Sequence, residues 1–169
     1  MVTVADLLET YFGETPMELD SPHSLNDSVK LLRDSSIPGL WGAVLNLKDS
    51  VVGVVSPSKV SLRRFLPING NRISVPFHGT FIEKSRGVAL LGAYRLPRLV
   101  TAFVLFFSTV ALSLGPQAIV HAARNSSGWQ AWAGPIIILL VGLYLPFRVH
   151  SLYRKDIAWM NNYFKKVLL

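Results

Sequence analysis

Apolar positions along this chain change their spacing in turn, and each spacing predicts a different element. Behind Thr3, the residues Val4, Leu7, Leu8 and Tyr11 recur at helical intervals with Asp6 and Glu9 between them. That pattern predicts a short amphipathic helix over 1–12 with Thr3 as its cap. Lacking a basic start, the same stretch is not expected to be a cleaved signal. A second helix is predicted over 24–34, where Ser24 caps, Asp27 lies in the first turn, and Leu25, Val29 and Leu32 share a face. Ser35-Ser36-Ile37-Pro38-Gly39 ends it.

After residue 39 the period becomes two. Segments 40–47, 51–55, 60–66, 72–82 and 88–95 read as strands separated by polar turns, among them Asn69-Gly70, a pair suited to the positive φ angles of a tight hairpin. In the fourth, Ile73, Val75, Phe77 and Phe81 alternate with Ser74, Pro76, His78 and Thr80, so one face is buried and the other wetter. Pro76 argues for an edge or a bulge in that strand. Arg63-Arg64 interrupts the alternation of the third and implies another bulge. Val51 to Val55 and Val88 to Leu91 are apolar on both parities, which calls for a central or covered position. Segment 40–96 is therefore expected to be a small antiparallel β-meander. Its cover must come from the helical segment 1–39, the bilayer or another subunit.

A third regime begins at Leu99. From there to Val120 run 22 residues without Asp, Glu, Lys, Arg or His, and residues 125–147 are equally free of charge. Each is long enough for a hydrocarbon layer of about 30 Å, which predicts a transmembrane hairpin within 97–147, spanning at about 99–120 and 129–147. Trp129, Trp132 and Tyr144 suit the interfaces. Gly115-Pro116 and Gly134-Pro135 mark bends or helix boundaries toward the outer edge, while Ala111 and Gly115 form a small pair for close helix packing. Asn125-Ser126-Ser127 matches a glycosylation pattern, but it lies too near the membrane to weigh much.

Composition changes this picture only through where the charge falls. The net charge of +7 and a 50% hydrophobic content admit a nucleic-acid reading or a membrane one. Residues 1–98 carry eleven Lys/Arg and nine Asp/Glu, a balance of +2, whereas 99–169 carry six and one, a balance of +5. The surplus thus accompanies the oiliest part of the chain, and no nucleic-acid partner is expected. Arg95 and Arg98 precede the first span, and Arg148, Arg154, Lys155, Lys165 and Lys166 follow the second, against Arg124 alone in the connection. Positive-inside bias then puts both termini in the cytoplasm. Cysteine is absent, which excludes disulfides and thiolate chemistry.

Segment 148–169 is predicted to be a separate amphipathic helix, turned along the surface by a break or kink at Leu145-Pro146. Its basic side would face an anionic inner leaflet, or its apolar side the sheet. Asp156 falls inside the apolar arc and needs a cation from elsewhere; Arg95, Arg98 or a second subunit are the expected donors. No zinc, phosphate-loop, dinucleotide or nucleophile-elbow motif occurs. No metal or cofactor is expected. His78 falls on the polar face of its strand beside Ser74 and Thr80, where a catalytic Ser/His pair is the alternative to the expected solvent-facing histidine.

A Gly-containing strand at Val51 to Val55, a strand with the basic pair Arg63-Arg64, the segment Ser74-Val75-Pro76-Phe77-His78-Gly79, a turn, a further strand and two spans together resemble a group of small, uncharacterised bacterial membrane proteins. The resemblance covers residues 51–120. This chain departs from that pattern in a shorter lead into the Ser-x-Pro segment and one residue fewer between proline and glycine. What the resemblance implies is a β-meander followed by a helical hairpin, and no activity.

The sequence thus points to an α+β membrane protein with N-terminal helices, a β-meander, a transmembrane hairpin and an amphipathic tail. The function expected of it is that of a non-catalytic adaptor or assembly subunit at the inner leaflet, with a homo-oligomer or another membrane protein as partner. An oligomeric pore-forming or membrane-perturbing effector, and a membrane-bound enzyme using His78, are the alternatives.

Overall fold

A computed structural model of the chain describes residues 3–38, 49–66, 74–85, 87–125 and 130–169. Its elements are α1 (Val4–Phe12), β1 (Thr15–Ser21), α2 (Leu25–Ser35), β2 (Ser50–Ser56), β3 (Lys59–Phe65), β4 (Phe77–Glu83), β5 (Val88–Tyr94), α3 (Arg98–Asn125) and α4 (Gln130–Leu168). The strand expected at 40–47 and the Asn69-Gly70 turn lie outside the described residues.

Both early helices start where their caps dictate. Thr3 and Asp6 form a reciprocal capping box on α1, and the Ser24 side chain accepts from the Asp27 amide on α2. The five strands form an antiparallel α+β sheet in the order β1-β5-β4-β3-β2. Strands β2 to β5 are the expected meander. β1 is the addition, because the N-terminal segment expected to be helical gives its residues 15–21 to an edge beyond β5. Its alternation is real: Met17, Leu19 and Ser21 point inward while Pro16, Glu18 and Asp20 are exposed. Pro16 and two acids mask that signal, since those residues are rare in strands, yet an edge tolerates them.

Two local expectations change. β4 begins only at Phe77, so Pro76 precedes the strand and sits neither in an edge strand nor in a bulge. No bulge occurs at Arg63-Arg64 either, where Val52 pairs with Arg63 and Val51 with Arg64 in unbroken register. The second arginine points to the covered face because it has a partner there.

Register places Leu19, Leu90, Tyr94, Phe77, Phe81, Leu62 and Val60 on one face, all buried. Gly79 and Gly92 oppose each other beneath the Phe77 ring, where a Cβ on either would strike that ring. The space lets Phe77 pack against Tyr94 and Phe164, with ring centroids 5.1 and 4.9 Å away. Phe164 belongs to α4, whose second half covers this face with Val149, Tyr153, Met160 and Leu168. Each such side chain contributes roughly 1.5–3 kcal/mol by burial, so the tail packs on the sheet.

The tail reaches the sheet as part of α4, which is one helix from Gln130 to Leu168 with Pro135 and Pro146 inside it. Of the break or kink expected at Leu145-Pro146, the break does not occur. Proline at 146 has no N–H for the Gly142 carbonyl. Ser108 of α3 supplies the missing donor, its hydroxyl bonding Gly142 O at 3.1 Å. Helices α3 and α4 are both long and apolar enough to cross a membrane. They pack closely: a Cβ on Gly142 would strike Ala111, and one on Gly115 would strike Leu139. The small pair Ala111 and Gly115 thus faces the companion helix of the same chain.

Candidate functional site

The residues singled out by the sequence fall into three places: a latch on the covered face, an exposed basic side of α4, and a notch where the sheet meets α3.

In the latch, Asp156 on α4 is 6% exposed. Its carboxylate pairs at 3.4 Å with Arg64 of β3, which also pairs with Asp49 and lies over the Trp159 ring, 4.4 Å from its centroid. The expected partners Arg95 and Arg98 are therefore replaced by Arg64. The reason is geometric: nine residues of unbroken helix after Phe147 carry Asp156 about 13 Å beyond the end of the apolar stretch, past arginines that stay at that end. Sequence held the signal for Arg64 in its interrupted strand parity, which allowed a bulge or an inward charge.

Around the latch, tyrosines fasten α4 and α1 to the rest. Tyr94 donates to Asn161 Oδ1 at 2.7 Å, Tyr163 to Ser35 Oγ at 2.8 Å, and Tyr11 to the Pro146 carbonyl at 2.9 Å. Tyr153 and Thr15 share a hydroxyl contact at 2.9 Å. Burial pushes the Tyr11 phenol up to about 12 and raises Tyr94, Tyr153 and Tyr163 as well. Sequence reasoning missed this seam, because its members come from five separate elements. Beside it, buried His150 shares a 2.7 Å contact with Thr10, at the back of a cavity of about 430 Å³ that Asp6, Glu9 and Arg154 also line.

On α4, Arg148, Arg154, Lys155, Lys165 and Lys166 are all exposed, on the side away from the sheet. They form a basic flank rather than a pocket.

The opposite face is partly open, with Val52 and Ala89 buried on it. His78, Thr80, Ile82, Val54 and Arg63 are exposed there. His78 Nδ1 lies 3.2 Å from the Ser61 hydroxyl, directly across the β3/β4 pair, so the hydroxyl that meets it belongs to neither Ser74 nor Thr80. Ser74 is instead turned inward with its hydroxyl buried. The exposed Ser61/His78 pair has no carboxylate in contact and no enclosing cavity among the described residues, and a catalytic triad would require both. Where this face reaches α3, His78, Arg95 and Arg98 line one notch of about 350 Å³ with Glu14, whose carboxylate accepts from Arg95 at 3.2 Å.

Compared with protein-family models, curated proteins and solved structures, the chain matches none. Its own geometry must carry the functional reading.

Proposed function

We propose that this chain is a two-span integral membrane protein with both termini in the cytoplasm, a non-catalytic adaptor or assembly subunit that holds its sheet at the inner leaflet. One observation carries the reading. A single helix, α4, is exposed and apolar over its first half, with Ile137 58% and Leu140 60% exposed, and over its second packs one apolar side on the sheet, with Met160 and Phe164 at 0%. Exposed apolar surface on that scale marks contact with lipid or protein. The unbroken helix then makes the sheet a rigid extension of the span.

The basic flank of α4 supports the orientation, since cytoplasmic flanks are the basic ones. Its cations also favour an anionic leaflet, each contributing about 1 kcal/mol near such a surface. The open sheet face, centred on Val54 and Ile82, 62% and 46% exposed, is the surface offered to a second membrane protein or another copy.

Because the chain has no cysteine, single probes test this directly. Lys155→Cys is expected to resist a membrane-impermeant maleimide in intact cells and react after lysis, while Ser126→Cys reacts from outside; the reverse pattern overturns the orientation. Resistance to alkaline carbonate tests insertion itself. A crosslinker at Ile82→Cys in native membranes should capture a second polypeptide, and recovery of monomer alone would sink the adaptor reading.

A further inference from the structure

The notch between the open sheet face and α3 has a chemistry that the adaptor reading leaves unused. Glu14, His78 and Arg95 reach it from β1, β4 and β5 or their ends, and Arg98 opens α3. Every one of these side chains is exposed. Two guanidiniums against one carboxylate leave the notch at +1, which one phosphodiester would neutralise. Arginine forks suit phosphate oxygens in geometry as well as charge.

The parts are arranged for such a guest. Glu14 steadies Arg95 through a half-exposed pair, weak enough to yield. No carboxylate among the described residues pairs with Arg98. With Nδ1 of His78 engaged by Ser61, Nε2 is the ring nitrogen left for a ligand. The positive end of α3 adds to the same field. Immediately beyond the notch, Leu99, Phe103 and Phe106 are 85%, 55% and 63% exposed. They fall on one side of α3 at helical spacing and offer an apolar track starting at the charged pocket.

We infer that this notch binds the phosphate of an anionic phospholipid, with Arg95 and Arg98 on the headgroup and the Leu99–Phe103–Phe106 file along an acyl chain. The inference rests on the membrane reading above. A free phosphate would satisfy the arginines but leave the apolar file without a role, so lipid is the favoured source.

Native mass measurement of detergent-purified protein titrated with phosphatidylglycerol or phosphatidylcholine tests it. Wild type should retain one phosphatidylglycerol in preference to phosphatidylcholine. Arg95→Gln with Arg98→Gln should weaken that retention about thirtyfold and leave phosphatidylcholine unchanged, while Arg124→Gln, at the other end of α3, should change neither. Equal retention by wild type and the double variant overturns the site, as does an equal loss in Arg124→Gln. Displacement of the lipid by millimolar inorganic phosphate, but not by chloride at the same ionic strength, would assign the notch to free phosphate and overturn the lipid. Carbonate extraction of the same proteins separates the two levels. Carbonate-resistant protein without headgroup preference defeats this inference alone, whereas extraction of the wild type defeats the membrane reading with it.

Discussion

Ile138 and Val149 stand about three turns apart along one side of the same helix, yet one is 47% exposed and the other 2%. The two halves of α4 are both rich in large apolar side chains and are continuous in backbone. They differ in what covers them. The first half meets α3 through small residues and leaves Ile136, Ile137, Leu140 and Leu143 open. The second turns an apolar side into the sheet and secures it with polar contacts at Asp156, Asn161 and Tyr163. A pattern of hydrophobicity states that a surface must be covered; it does not state by what.

The sharpest way to break this comparison is to truncate one large side chain in each half. Phe164→Ala, at a fully buried site, is expected to cost about 3–5 kcal/mol and to free the tail for proteolysis. Ile137→Ala should shift stability in detergent by no more than about 0.5 kcal/mol. Thermal melts of both variants check the contrast, and equal losses would mean that the two halves are packed alike.

Next comes the latch. Arg64→Met removes a cation from beside a buried carboxylate and should cost about 3 kcal/mol, most of it recovered when Asp156→Leu is added. A double-mutant cycle reads the coupling. Additive losses would show that Arg64 and Asp156 act separately.

Gly142→Ala probes the first half again, through a tight contact with α3. A methyl there meets Ala111, so overpacking of about 1–3 kcal/mol is expected, and Ala111→Gly should relieve it. The smallest effect is set by pH. The buried tyrosines have phenols raised above the ordinary 10.0 by desolvation. Their contribution is complete below pH 10.0, where both folded and unfolded phenols are neutral, and it falls as pH rises toward the folded value of about 12 for Tyr11. Melts above pH 10.0 should therefore decline less steeply in Tyr11→Phe than in wild type.

Much of the fold was legible because its signals are local. Strands 51–55, 60–66 and 88–95 were placed to within about a residue, since alternation needs only neighbours to be read. Both N-caps were legible for the same reason, and the uncharged stretches announced α3 and the first half of α4. β1 escaped because its hydrogen-bond partner, β5, lies about seventy residues away, and because an edge can carry Pro16, Glu18 and Asp20 at little cost. Of the candidate sites, Asp156 was recognised as needing a cation. Identifying Arg64 required knowing that α4 continues unbroken through Pro146.

Sequence by itself determined the kinds of element, the location of surplus charge beside the apolar stretches and the demand for cover on the sheet. Only the tertiary structure decided that the tail and the second apolar stretch are one helix, because Ser108 on a different helix offsets the donor that Pro146 lacks. It also decided that this helix covers the sheet, and that His78, Arg95 and Arg98 share a notch. These are distances between residues far apart in the chain, and packing sets them where periodicity cannot.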